Sequence, residues 1–359
     1  MNRRDALFSV LATAPTWPLA APAPRAFDRA LAFPADFGAH PDTRTEWWYI
    51  TGHLEGPQGP WGFQVTFFRT GTGIAPGHPS RFAAQQLVSA HAALTDVRAG
   101  RLRHDQRIAR AGFGVAQAST DDTAVTLRDW ALRREGTAGR SVYHARVASD
   151  SAGFQLDLRL STTQPVLLQG QEGLSRKGPD PAQSSRYYSQ PQLATEGTLT
   201  LDGRAIAVTG RAWMDHEWSQ SVLDPQAVGW DWVGMNLDDG SALTAFRLRR
   251  ADGSALYAGG SFRAADGRLR VFGPDELRFT PGRSWQSPAS KATYPVEWHI
   301  DTPAGRFEVR ALLDAQELDS RASTGAFYWE GLSELRTDQG AVAGRGYLEM
   351  TGYAARLAM

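Results

Sequence analysis

The chain has 359 residues, of which 42% are hydrophobic, and its 38 Lys and Arg balance 38 Asp and Glu to a formal net charge of zero. A neutral chain lacks the basic field that attracts nucleic acid or an anionic membrane surface, so we expect no nucleic-acid partner. The sequence contains no cysteine, which excludes disulfides, thiol catalysis and Cys-ligated metal.

Residues 1–26 have the pattern of an export signal rather than of a folded segment. Arg3 and Arg4 precede a mildly apolar stretch over 6–21, which ends in small residues and prolines. This pattern predicts a twin-arginine signal peptide and a periplasmic or secreted protein. The alternative is an ordinary chain start with chance arginines. The stretch is too short and too broken by proline to span a bilayer, and we expect no transmembrane segment in the mature chain.

After residue 26 the hydrophobic pattern has a period of two residues. Side chains alternate in this way over 61–68 and again over 154–161, which indicates half-buried strands. Asp-Gly and Gly-Pro turn signals separate such runs. Only 85–93 and 312–320 could hold a turn or two of helix. Many short strands with glycine-rich turns predict an all-β sandwich or barrel.

The chain also resembles itself. Residues 47–54 match 230–237 as aromatic-led strands, and 208–215 match 342–349 as Gly-Arg strands, in the same order. We therefore predict two antiparallel barrels related by duplication, one over 27–220 and one over 221–359. An eight-stranded barrel can enclose a small ligand, so an apolar cavity is the default site. The glycine-rich loop over 170–186 could be a lid over such a cavity or a plain insertion.

Several of these motifs resemble a known family. They are Glu46-Trp47-Trp48-Tyr49, Tyr187-Tyr188-Ser189, Asp215-His216-Glu217-Trp218, Gly229-Trp230-Asp231-Trp232 and the ending from Gly346 to Tyr353. Together they are similar to the lipocalin-like proteins grouped with AttH and with CrtC, the carotenoid 1,2-hydratase (hydroxyneurosporene synthase). The resemblance covers about residues 40–353. It implies two tandem calycin-type barrels, a ligand mainly in the N-terminal barrel, no cofactor and, in some members, hydration of an isoprenoid double bond.

The densest polar motif is the one around His216. Strand alternation sends His216 and Trp218 to one face and Asp215 to the other. A buried neutral carboxylic acid could protonate an alkene, and an aromatic face could stabilise the cation. The resemblance implies that His216 and Trp218 line the site. A structural role at the junction between the halves is an equal alternative.

The hydratases carry an acid on the strand after the domain junction, and the matching strand over 243–248 has none. Asp231 is the nearest strand-borne acid and could replace it, or could be a paired or solvated residue. We therefore take His216, Asp215 and Asp231 as the candidate catalytic residues.

The candidate ligand-binding residues are mostly aromatic. They are Trp47, Tyr49, Tyr188, Trp218, Trp232 and His91. His91 lies in an apolar segment, where a lone histidine is more often a satisfied core residue. The carboxylate of Glu46 could equally pair with Arg44 or Arg69. The histidines show no metal-binding spacing, and no Gly-x-Ser-x-Gly elbow indicates a hydrolase, so we expect no metal and no cofactor.

Two functions remain open at this stage. The first is a carrier that binds a lipid or isoprenoid in the N-terminal barrel for envelope lipid handling, with an envelope transporter as a possible partner. The second is a cofactor-independent hydro-lyase or isomerase of the carotenoid-hydratase type. Export favours the carrier.

Overall fold

The computed structural model describes residues 29–75, 77–220 and 223–357. The predicted signal over 1–26 lies outside them. Within the described part the regular elements are β-strands, apart from two 3-10 helices at Ala35–Phe37 and Pro274–Glu276. No helix of the described residues is long and apolar enough to cross a membrane.

The first barrel contains thirteen strands. They are β1 (Thr45–Glu55), β2 (Trp61–Gly71), β3 (Gln86–Asp96), β4 (Arg101–Arg110), β5 (Ala116–Ala118), β6 (Ala124–Leu127), β7 (Trp130–Thr137), β8 (Arg140–Ser149), β9 (Phe154–Ser161), β10 (Leu167–Leu168), β11 (Leu174–Arg176), β12 (Ser184–Leu201) and β13 (Arg204–Ser219). Their order in the sheet is β4-β3-β2-β1-β13-β12-β9-β8-β7-β6-β5, with β10 and β11 paired along β12.

The second half of the described chain contains the remaining twelve strands, ten of which form the second barrel. They are β14 (Gly229–Leu237), β15 (Ala242–Arg249), β16 (Ala255–Arg263), β17 (Leu269–Phe272), β18 (Arg278–Pro281), β19 (Ser284–Gln286), β20 (Thr293–Pro295), β21 (Glu297–Thr302), β22 (Gly305–Ala311), β23 (Glu317–Asp319), β24 (Phe327–Thr337) and β25 (Val342–Thr351). The order is β17-β16-β15-β14-β25-β24-β22-β21-β18, with β23 on β24, and β19 and β20 form a separate pair.

The two sheets share one topology. In each, four consecutive strands form a meander, and the first of them pairs with the last strand of the same sheet, as β1 does with β13 and β14 with β25. Both sheets curl into nearly closed antiparallel barrels. In the first barrel Arg107 of β4 closes the seam, because it pairs with Asp129 and donates to the Ala148 carbonyl at 2.9 Å. This architecture confirms the predicted pair of duplicated lipocalin-like barrels.

The interior of the first barrel is filled by its own side chains. Alternate residues of β9, from Phe154 to Leu160, point into it as the period-two pattern predicts. Large rings occupy the rest, among them Trp48, Trp61 and Phe67. Such a filled interior is a packed core rather than a ligand cavity.

Both possible helices of the sequence analysis were wrong. Residues 86–96 form strand β3, with Val88, Ala90 and Ala92 facing the first core. Residues 312–320 form a loop and the short strand β23. In each case sheet pairing and burial outweigh weak local helix propensity.

Candidate active site

A cavity lined by aromatic and carboxyl side chains lies between the two barrels. Its volume is about 110 Å³, which is room for several waters or a small organic group. Aromatic and carboxyl side chains from both barrels line it: Trp47, Tyr49, Phe68, Tyr187, Asp215 and Glu217 from the first barrel, and Trp230, Trp232, Phe246, Tyr328, Glu330 and Glu349 from the second. We call it the central cavity.

A wider cavity adjoins the central one. Its volume is about 550 Å³, and it shares Phe68, Trp230, Tyr328 and Glu349 with the central cavity. The rest of its wall comes from the start of β1, from β2, β3 and β4, from the segment between β13 and β14, from the loop before β24 and from residues 351–357. We call it the outer cavity.

The duplication places equivalent residues of the two barrels at the central cavity. Asp215 is the cross-strand partner of Tyr49 in the first barrel, and Glu349 is the partner of Trp232 in the second. Tyr49 and Trp232 pack edge to face, with ring centroids 5.4 Å apart. The two barrels therefore present matching faces to a shared space, and Asp215 and Glu349 occupy equivalent positions on them.

Asp215 is fully buried and accepts three hydrogen bonds. The donors are Ser189 Oγ at 2.5 Å, Trp213 Nε1 at 2.7 Å and Tyr187 Oη at 2.9 Å. Burial raises the pKa of Asp215 to about 7, although these hydrogen bonds favour its charged form and oppose the shift. The neighbouring Glu217 carboxylate adds to the rise. Asp215 can therefore change its protonation state near neutral pH.

Glu349 is the second acid of the cavity, and one hydrogen bond holds it, from Trp230 Nε1 at 3.1 Å. Burial raises the pKa of Glu349 to about 7, and the carboxylates of Asp215 and Glu217 contribute to the rise. Its cross-strand neighbour is Glu330. Burial, together with the charge of Glu349, raises the pKa of Glu330 well above its ordinary value and so favours its neutral form.

Polar contacts join the barrels around these acids. Tyr49 Oη donates to Glu330, and Gln64 Nε2 donates to Tyr328 Oη at 3.1 Å. Gln64 lines the cavity, and its amide oxygen has no hydrogen-bond partner among the described residues. A buried free acceptor of this kind suits a ligand hydroxyl or a water.

The loop over 170–186 contributes one residue to the cavity wall. Lys177 Nζ lies 2.9 Å from Glu217 Oε1 and 4.4 Å from the ring centroid of Phe246 in the second barrel. The loop therefore covers part of the cavity, and the Lys177–Glu217 ion pair holds it there.

The sequence-predicted residues fall into three places. Four of them line the central cavity: Trp47, Tyr49, Asp215 and Trp232. Three lie inside the first barrel: Tyr188, His216 and Trp218. The alternation predicted for β13 is observed, since Asp215 and Glu217 face the cavity whereas His216 and Trp218 face the core of the first barrel.

His216 belongs to a closed hydrogen-bond network. Its Nε2 lies 2.8 Å from Glu46 Oε1, and its Nδ1 lies 3.0 Å from Tyr188 Oη. Burial lowers the pKa of His216, so the ring is neutral, donating from Nε2 and accepting at Nδ1. The other carboxylate oxygen of Glu46 accepts from Arg69 Nε at 2.7 Å. Of Arg44 and Arg69, the two partners considered for Glu46, it is Arg69 that forms the ion pair.

A second histidine, His40, contacts the same carboxylate, with its Nδ1 2.7 Å from Glu46 Oε1. His40, Glu46 and His216 hold ligand-type atoms within 4.8 Å of one another. These atoms hydrogen bond to each other, and the Arg69 guanidinium beside them opposes a further positive charge. The group therefore works as an internal polar network of the first barrel.

Asp231 and His91 lie away from the central cavity. Asp231 is buried in the second barrel and paired with Arg247 Nε at 2.7 Å and Arg249 Nε at 3.1 Å. His91 lines the outer cavity and hydrogen bonds to Tyr328 Oη at 2.8 Å. Burial lowers the pKa of His91 to about 3, so it is neutral.

One expectation needs correction. The central cavity lies between the barrels rather than inside the N-terminal one, whose interior is filled by aromatic and aliphatic side chains. The second half has Met350 and Gly352 where the first has His216 and Trp218. It still contributes to the central cavity, since it supplies Glu330, Glu349 and Tyr328 to the wall. The internal repeat of the sequence could have indicated this contribution of the second half, because it aligns Glu349 with Asp215. The missing histidine and aromatic of the second half are core residues in the first, so their loss does not affect the cavity.

The chain belongs to the AttH-like family, whose sequence profile matches residues 24–353. A crystal structure of a protein from Nitrosomonas europaea, provisionally described as AttH, is 49% identical, with a TM-score of 0.84, over 92% of this chain and 99% of that one. Kievitone hydratase from Fusarium solani subsp. phaseoli is 23% identical over 185 residues, so the match spans about half of each chain, 50% here and 51% there.

The crystal structure of kievitone hydratase from Nectria haematococca has the same fold. It aligns with a TM-score of 0.69 at 15% identity, over 91% of this chain and 94% of that one. At this identity the match supports the tandem-barrel fold alone.

Proposed function

We propose that the protein adds water to, or removes it from, a carbon–carbon double bond of an apolar, isoprenoid-type ligand held between its two barrels. One observation carries this proposal: Asp215 and Glu349 face one aromatic-lined cavity from opposite barrels, and the pKa of each is raised to about 7. Near neutral pH such a pair can hold one acid and one base at once.

The hydrogen bonds suggest which acid takes which role. Asp215 accepts three, which favour its carboxylate form, whereas Glu349 accepts one and lies beside Glu330, whose neutral form burial favours. Glu349 is therefore the proton donor to the alkene carbon, and the Asp215 carboxylate takes the proton of the attacking water. The proton returns to Glu349 through solvent from the outer cavity, whose wall also includes Glu349.

The aromatic wall suits the intermediate of this reaction. Protonation of an alkene leaves a carbocation on the neighbouring carbon, and ring faces such as those of Trp47, Trp230 and Trp232 attract positive charge. The free amide oxygen of Gln64 offers an acceptor for the attacking water. The relative named a hydratase supports the same class of reaction.

The exported location predicted from residues 1–26 is part of this proposal, which places the substrate in the cell envelope or outside the cell. Fractionation of cells that express the full chain tests it. Recovery in the cytoplasm alone would overturn this part of the proposal and leave the chemistry untouched.

The reaction is tested by incubating the purified full chain with acyclic carotenoids and prenylated phenols in heavy-oxygen water. We expect a product heavier by one water that carries the heavy oxygen. Organic extraction and mass spectrometry of the same preparation would identify any bound lipophile.

A second candidate is a carrier for a lipophilic envelope molecule, and the largely aromatic wall of the central cavity favours it. The same experiment separates the two functions. A co-purifying lipid with no turnover of any alkene tested would support the carrier and contradict the hydro-lyase.

A further inference from the structure

Two neighbouring loops at one end of the first barrel expose large apolar side chains. One loop joins β2 to β3, and the other joins β4 to β5. Phe82 is 76% exposed and Phe113 is 57% exposed, and Ile74 and Val115 are partly exposed beside them in the same loops. We call these four residues the apolar patch. Most exposed apolar residues occur singly, so four in two adjoining loops are a candidate interaction surface.

The rings of Phe82 and Phe113 are fixed in position by contacts with each other and with Arg110. They stack with centroids 5.6 Å apart and planes 6° from parallel. The Arg110 guanidinium lies 4.0 Å from the Phe113 ring centroid and donates to the Phe82 carbonyl at 2.5 Å. This contact joins the loops, so both rings can insert into a partner without a large ordering cost.

The loops also carry charge of one sign. The residues 70–86 and 108–120 contain Arg81 and Arg110 and no Asp or Glu. The zero net charge of the chain conceals this local excess. Apolar rings flanked by arginine are suited to the boundary between lipid headgroups and acyl chains, where an anionic leaflet attracts each cation.

The patch adjoins the outer cavity. Ile108 and Leu87 line that cavity, and Leu87 is the cross-strand partner of Arg110. The outer cavity in turn shares Phe68 and Tyr328 with the central one. A bilayer under the patch would therefore lie next to an apolar route into the cavity between the barrels.

We propose that the apolar patch docks on an anionic phospholipid bilayer, with Phe82 and Phe113 inserted among the acyl chains and Arg81 and Arg110 at the headgroups. Docking gives a membrane-dissolved ligand direct access to the outer cavity. The proposal concerns where the ligand comes from and holds for a carrier as well as for an enzyme.

Cosedimentation with vesicles tests it. We compare vesicles of equal parts phosphatidylglycerol and phosphatidylcholine with vesicles of phosphatidylcholine alone, using the full chain. We expect binding to the anionic vesicles that weakens at high salt and falls about tenfold or more in Phe82→Ser/Phe113→Ser, since two buried rings are lost. Arg81→Gln should weaken binding to the anionic vesicles alone.

The matched control is Leu269→Ser/Val271→Ser, which removes two exposed apolar residues of the second barrel and should bind as the wild type does. All variants share residues 1–28, so a difference between them cannot come from that segment. Absence of wild-type binding to anionic vesicles, or equal binding by the Phe82/Phe113 variant, would overturn the proposal. Because no turnover is measured, this outcome is separate from the fate of the proposed reaction.

Discussion

Asp215 and Glu349 occupy equivalent positions in the last strands of the two barrels, and both carboxyl groups face the central cavity between the barrels. Duplication of a barrel with such an acid on its outer face would leave two separate half-sites. Packing the two outer faces together instead makes a single buried site that contains both acids. The protonation states of these acids therefore depend on the interface between the barrels, and mutation and changes of pH can test them.

Stability should fall as pH rises through the range in which Glu349 ionises. The pKa of Glu349 is about 7 in the folded protein against an ordinary value near 4.5. The folded state thus holds the proton more tightly, and its stability is highest below about pH 4.5 and decreases up to about pH 7. Glu349→Gln removes this loss and should be more stable than the wild type at pH 8 by up to about 3 kcal/mol.

Urea unfolding at pH 5 and at pH 8 measures this difference. The variant should gain little at pH 5 and most at pH 8. An equal difference at both values would mean that Glu349 does not titrate in this range.

His216 should matter for stability rather than for proton transfer. Removing its ring in His216→Ala takes one buried hydrogen-bond partner from Glu46 and one from Tyr188 and should cost about 3 kcal/mol. His216→Gln can keep a donor near Glu46 and should lose less. Thermal unfolding measures both, and turnover per folded molecule should stay within a few-fold of the wild type. Complete loss of turnover in a stable His216→Gln protein would restore the catalytic role expected from the sequence.

Asp231 should likewise be structural. Asp231→Asn replaces the buried carboxylate that pairs with Arg247 and Arg249 by a neutral amide. The substitution should destabilise the protein by about 3 kcal/mol. The control is Asp202→Asn, which breaks the exposed pair with Arg103 and should give no measurable change. Equal unfolding midpoints for the two variants would contradict the structural role.

Much of the fold could be predicted from the sequence, because the barrel strands are periodic. Over 154–161 only alternate side chains face a core, so the hydrophobic alternation is clear in the sequence. The helix considered over 312–320 is wrong, because the loop and short strand found there have no clear hydrophobic period in the sequence.

The site was harder to predict, because β1, β2, β14 and residues 212–219 of β13 are buried on both faces, so that their polar residues do not mark a solvent side. The sequence placed Asp215 and His216 on opposite faces correctly. It could not show which face has the cavity, since this depends on how the second barrel packs against the first.

The most direct test of the central claim is the rate of water addition by Glu349→Gln and Asp215→Asn, once a substrate alkene is found with the heavy-oxygen assay. Both variants should fold, and each should lose about 100-fold or more in rate, the usual contribution of a general acid or base. Glu196→Gln, a surface carboxylate paired with Arg159, should keep the wild-type rate. Wild-type rates in both cavity variants would contradict the assignment of proton transfer to the cavity between the barrels.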